Sequence, residues 1–141
     1  MIKLKGYIFS RKINNSSIPQ NVQNIVLREY CKRNNFFFIL SDSEYSLKNS
    51  FHVLEGILQS TNTYDGILFY SIYQLPLDNE KRKKILIKLL TNKKQIHFAQ
   101  ENYQINNKYQ INKIDNILKV NINLPKNIDY KYLRNYLSIK N

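Results

Sequence analysis

The sequence specifies an α/β fold: a single three-layer domain with a mainly parallel sheet of about four to five strands between helices. Three observations carry that reading. Short apolar runs recur along the chain, each closed by turn residues, as strands buried in a parallel sheet are. Amphipathic stretches of about ten to fifteen residues separate these runs, long enough for the crossovers that parallel strands need. The clearest run, Tyr64-Asp65-Gly66-Ile67-Leu68-Phe69-Tyr70-Ser71-Ile72-Tyr73-Gln74-Leu75-Pro76, opens on a turn signal and ends in polar groups stopped by a proline. That pattern marks the centre of the sheet.

Lys3 to Ser10 reads as the first strand, with Leu4, Gly6, Ile8 and Ser10 alternating against Lys5, Tyr7 and Phe9. A polar loop, Arg11 to Ser17, leads to Ile18-Pro19 and a helix, proline suiting a first turn whose N–H groups have no partner. Val22, Ile25, Val26, Tyr30 and Cys31 fall on one face of that helix, and Lys32-Arg33 places positive charge at the negative end of its dipole. Phe36 to Leu40 is expected to be a second buried strand, emptying into Ser41-Asp42-Ser43-Glu44-Tyr45.

A helix is expected from about Ser46 to Ser60, with Leu47, Phe51, Leu54 and Leu58 inward. After the central run, Asp78 suits an N-cap and Glu80 the first turn of a helix whose stripe is Ile85, Leu86, Leu89 and Leu90. Gln95 to Ala99 is a short fourth strand. Residues 1–102 form the core of the domain and 103–141 a less regular extension: an Asn-rich loop over Tyr103–Lys113, an edge strand over Ile117–Ile122 and a helix over Asp129–Ile139.

The bulk numbers narrow the function. The chain has 141 residues, 43% of them hydrophobic, and no apolar run approaches the ~20 residues of a membrane span. Its start runs directly into a strand pattern with no signal-peptide features, and its single cysteine excludes an internal disulfide. A reduced, cytoplasmic protein is the expectation. The formal charge of +12 suggests nucleic acid first, because cations release counterions from phosphates. Lysine dominates arginine in a chain crowded with Lys, Asn and Ile, so composition accounts for the charge more simply, and Lys81-Arg82-Lys83-Lys84 reads as a solvated helix face.

Ligands of open α/β sheets sit beyond the carboxyl ends of the strands. Reading those ends gives Ser10 and Arg11, then Glu44 and Tyr45, then Ser71 and Gln74, then Gln100 and Glu101, with Gln20, Gln23 and Asn24 from the first helix. Such a set could hold a polyhydroxylated or anionic molecule: Arg11 for an acidic group, Gln20, Asn24, Ser71 and Gln74 for orientation, and Glu44, His97 or Glu101 as acid–base candidates. No G-x-G-x-x-G or Walker loop occurs, so no nucleotide cofactor is expected, and two distant histidines with one cysteine make no metal site. Cys31 reads as core, and His52 as structural or surface.

Two family resemblances add to this reading. Gly6-Tyr7-Ile8-Phe9-Ser10-Arg11, Leu27-Arg28-Glu29-Tyr30-Cys31-Lys32 and Tyr64 to Tyr70 resemble the N-terminal catalytic domain of serine recombinases, implying a resolvase-like fold. In gapless register Arg11 stands at the position of that family's nucleophilic serine, Ser10 taking it only with a one-residue slip, and Ser71 to Leu77 lacks the family's aspartate and arginines. The resemblance therefore implies a catalytically inactive, recombinase-like nucleic-acid binder.

Gly6 to Arg11, Pro19 to Asn24, Glu44-Tyr45, Phe69-Tyr70-Ser71 with Gln74-Leu75-Pro76, and His97-Phe98-Ala99 with Glu101 also resemble the sporadic carbohydrate cluster proteins. This second resemblance implies a role in bacterial surface-carbohydrate biosynthesis, on a sugar or nucleotide-sugar intermediate. The partner is then a homodimer mate or a neighbouring carbohydrate enzyme, and nucleic acid is not expected.

Overall fold

A computed structural model describes residues 1–121 and 130–138. Four parallel strands, β1 (Lys3–Ile8), β2 (Phe37–Ser43), β3 (Gly66–Phe69) and β4 (Gln95–Phe98), are joined by an antiparallel β5 (Tyr103–Ile105). The spatial order is β2-β1-β3-β4-β5, with β3 in the middle. All four residues of β3 are buried, as a continuous apolar run requires. Gly66 lets β3 and β4 close up, since a Cβ there would stand 2.7 Å from the Gln95 carbonyl oxygen.

The pleat assigns each face. Tyr7, Phe69 and Phe98 lie side by side across three strands, Tyr7 edge-on to Phe69 at 5.6 Å and Phe69 stacked on Phe98 at 5.3 Å between ring centres. This face receives α2 (His52–Gln59), whose N-terminal turn binds the same carboxylate as the Tyr7 hydroxyl. Gly6, Leu68 and His97 occupy the opposite face, under Tyr30 of α1 (Gln20–Arg33). Beside α2 runs α3 (Asn79–Thr91), begun by the Asp78 carboxylate accepting from the Glu80 N–H at 2.9 Å. Arg82 of α3, fully buried, pairs with Asp115 of α4 (Lys108–Asn121) at 2.7 Å and donates to the carbonyls of Pro76 and Leu77. The last described helix is α5 (Tyr130–Ser138).

Several expectations change. β2 is an edge strand with Phe37 and Leu40 exposed, rather than a strand buried on both faces. In α1 the buried positions are Gln23, Leu27, Tyr30 and Cys31, while Val22 and Ile25 face solvent. The helix expected from Ser46 starts at His52, leaving Leu47 exposed. The Asn-rich stretch expected as loop holds β5 and the start of α4, and Ile117–Asn121 is helix rather than edge strand; Ile122 lies outside the described residues. Asparagine supplies five of the left-handed turn residues, Asn14, Asn15, Asn35, Asn49 and Asn102, a role that glycine usually fills. Among the described residues no helix is long and apolar enough to cross a membrane.

Candidate functional site

The carboxyl ends of β1, β2 and β3 bring most of the expected residues together, and the structure divides them into two groups. The first is buried and turned inward. The Glu44 carboxylate, 3% exposed, accepts from the Tyr7 hydroxyl at 2.8 Å, from Ser50, and from the backbone N–H groups of Tyr45, Val53 and Leu54. It occupies the N-terminus of α2 as a built-in anion. Burial pushes its pKa up, but these donors outweigh burial and hold the carboxyl below its ordinary value.

At the end of β3 the polar groups form a second closed knot. Ser71 caps a single turn over Ile72–Gln74 and donates to Glu101 at 2.7 Å, while Glu101 also accepts from the Ile72 N–H at 3.0 Å. The Gln74 side chain accepts from the N–H groups of Tyr70 and Ser71 and donates to the Tyr7 carbonyl at 3.3 Å. Ser71, Gln74 and Glu101 are all at most 1% exposed. Burial raises Glu101 to about 7, against the lowering effect of its donors and of Arg134.

His97 stands apart, on the α1 face. Gln95 Oε1 can only accept, so His97 Nε2 donates to it at 2.8 Å and Nδ1 accepts from the Tyr30 hydroxyl at 2.7 Å. Burial lowers its pKa to about 4, which keeps the ring neutral. Gln23 is likewise internal: it accepts from the Phe9 N–H at 3.0 Å and donates to the carbonyls of Phe9 and Ile18. The strand-end residues expected to orient a ligand thus spend their hydrogen bonds fixing the loops to the sheet.

The second group faces outward. Ser10 is exposed just past β1. Arg11, half-buried, donates to the Leu47 carbonyl at 2.7 Å and lays its guanidinium 4.3 Å from the Phe9 ring centre and 5.0 Å from that of Phe51. Lys81, from the first turn of α3, places its ammonium 4.9 Å from the same Phe51 ring and 3.9 Å from Glu55. Two cations from different elements therefore share one aromatic ring, an arrangement worth about 0.5–1 kcal/mol for each exposed pair.

Of the other expected residues, Gln20 accepts from Ser43 at 2.8 Å, Tyr45 is exposed, and Asn24 is half-buried with its Oδ1 unpaired. Reading the sequence missed Lys81, taken as a solvated face, and Phe51, taken as core alone. No local signal marks them, because the ring and its two cations stand about thirty and forty positions apart and only the fold brings them together. Among the described residues no group of three or more His, Cys, Asp or Glu is placed to hold a metal ion.

No family model and no curated protein match the chain, so the resemblance to carbohydrate cluster proteins gains no support there. Solved structures do match. A resolvase family site-specific recombinase from Streptococcus pneumoniae aligns over 85% of this chain and 87% of its own, with a TM-score of 0.62 and 10% identity. This chain has a resolvase-like fold. The N-terminal catalytic domain of TP901-1 integrase aligns over 82% of this chain and 92% of its own, at a TM-score of 0.58 and 15% identity. At such identities the likeness concerns the fold, and the resolvase-like sheet places Arg11 and Ser10 just beyond its β1.

Proposed function

We propose that this resolvase-like chain binds the phosphate backbone of nucleic acid at the carboxyl end of its sheet, as a binding module rather than a strand-cutting enzyme. The observation that carries this is the pair Arg11 and Lys81 on the Phe51 ring beside an exposed Ser10, with Glu44 and Glu101 turned inward and the exposed Glu55, 3.9 Å from Lys81, facing the pair. An aromatic shelf orients cations without neutralising them, and oriented cations suit phosphate oxygens. The formal charge of +12, whatever its compositional origin, attracts the same partner.

Two solved proteins of the same fold are named as a site-specific recombinase and an integrase, which favours nucleic acid over a sugar intermediate. The chemistry is reduced to binding because phosphoryl transfer depends on electrostatic stabilisation at the phosphate, and the turn from Ser71 to Leu77 offers no arginine. Fluorescence polarisation with a labelled duplex at low and high salt tests the binding, and a search for a covalent Ser10–DNA adduct tests the absence of cutting. Binding that falls steeply with salt, without adduct, is expected; no binding at low salt overturns the reading.

A further inference from the structure

On the face of the sheet that carries Tyr7, α2 has only eight residues and does not cover the β1–β2 corner. A cavity of about 370 Å³ remains there, within the range of about 300–1,000 Å³ typical of small-molecule sites. Its walls are chemically uneven. Ile39, Val53, Ile57 and Tyr64 give it an apolar body, and Lys5 with Asp42 gives it an ionic corner.

Gly56, exposed, stands at the mouth of this space. Nothing lies within 4 Å of the position a Cβ would take there, so no packing demands a glycine in the middle of this helix, where it weakens the helix. The ionic corner is asymmetric. The Lys5 side chain is 18% exposed and Asp42 45%, at 3.0 Å from each other. The ammonium has three donors and Asp42 accepts from one, so Lys5 can take a second acceptor while Asp42 stays hydrated. A second anion satisfies the better-buried charge, whereas the open oxygen of the more exposed Asp42 is already served by water.

We propose that this cavity binds a small apolar carboxylic acid, with its hydrocarbon body against Ile39, Val53, Ile57 and Tyr64 and its carboxylate on Lys5. Arg11 and Lys81 do not line the cavity, so the site is independent of nucleic-acid binding.

Isothermal titration of the full chain with octanoate, 1-octanol and octylammonium tests it. Octanoate is expected to bind with saturable one-to-one heat and to raise the thermal midpoint, with octylammonium binding at least about tenfold more weakly. Gly56→Leu fills the space; it should keep or raise the midpoint of the free protein and lose octanoate binding. Lys5→Met should weaken octanoate by about tenfold or more and leave octanol unchanged. Absence of octanoate binding, equal binding by Gly56→Leu, or a preference for octylammonium would each overturn the proposal.

Discussion

Glu101→Gln separates two buried titrations that oppose each other. Burial raises Glu101 from an ordinary 4.5 to about 7, so the folded chain holds a proton that the unfolded chain releases. Its contribution to stability is full below about pH 4.5 and is lost as pH rises through about 7. Burial lowers His97 from 6.5 to about 4, so the unfolded chain takes up a proton that the folded chain refuses. That contribution is full above about pH 6.5 and is lost as pH falls toward about 4.

Each shift is worth about 3 kcal/mol, and between about pH 4.5 and 6.5 their slopes cancel. Glutamine keeps the Ile72 bond, its oxygen accepting from that N–H, and reverses the Ser71 bond, its amide donating to the Ser71 oxygen as a protonated carboxyl would. The variant should therefore show the His97 slope alone, losing about 1.4 kcal/mol per unit as pH falls through that window. At about pH 8 it should exceed the wild type by up to about 3 kcal/mol. Urea unfolding at a series of pH values reads both effects. Equal slopes for the two proteins between about pH 4.5 and 6.5 would refute the reasoning.

Arg82→Met strips the buried Asp115 of its short ion pair and leaves the Pro76 and Leu77 carbonyls without their donor, so urea unfolding should show a loss of about 3–5 kcal/mol. Adding Asp115→Leu should recover most of it. Gly66→Ala pushes a methyl against the Gln95 backbone at the β3–β4 contact and should cost about 1–3 kcal/mol by the same measurement. Cys31 is 2% exposed and burial pushes its thiol up to about 11, so iodoacetamide should label it only after denaturation.

The central strand was legible because the run Ile67-Leu68-Phe69-Tyr70 between Asp65-Gly66 and Ser71 admits one reading, and α3 because Asp78 and the stripe Ile85, Leu86, Leu89 carry both its cap and its inner face. α1 was misread only in its first half: Tyr30 and Cys31 face inward as expected, but Val22 and Ile25 face water, and Gln23 takes the inner position because it saturates the Phe9 and Ile18 backbone. Polarity alone does not place such a residue outside when backbone groups wait to be paired.

α4 was hidden for a related reason. Ile111, Ile114, Ile117 and Leu118 form its buried stripe, but asparagines and lysines dilute it, and the six residues from Ile117 alternate over too short a window. Asn107, accepting from the Gln110 N–H at 3.2 Å, was the local signal for its start. At the candidate site the identities of the strand-end residues were legible, but their direction was not. Whether Ser71 or Glu101 points inward depends on partners about thirty positions away, and no local pattern encodes that.

Duplex affinity as a function of salt, for the wild type and for Arg11→Gln/Lys81→Gln, addresses the binding role most directly. The wild type should lose affinity linearly in log–log form, and the double variant should bind more weakly at low salt with a slope shallower by about two. Identical affinities and slopes for the two proteins would contradict it, because the cations on Phe51 would then contact no phosphate.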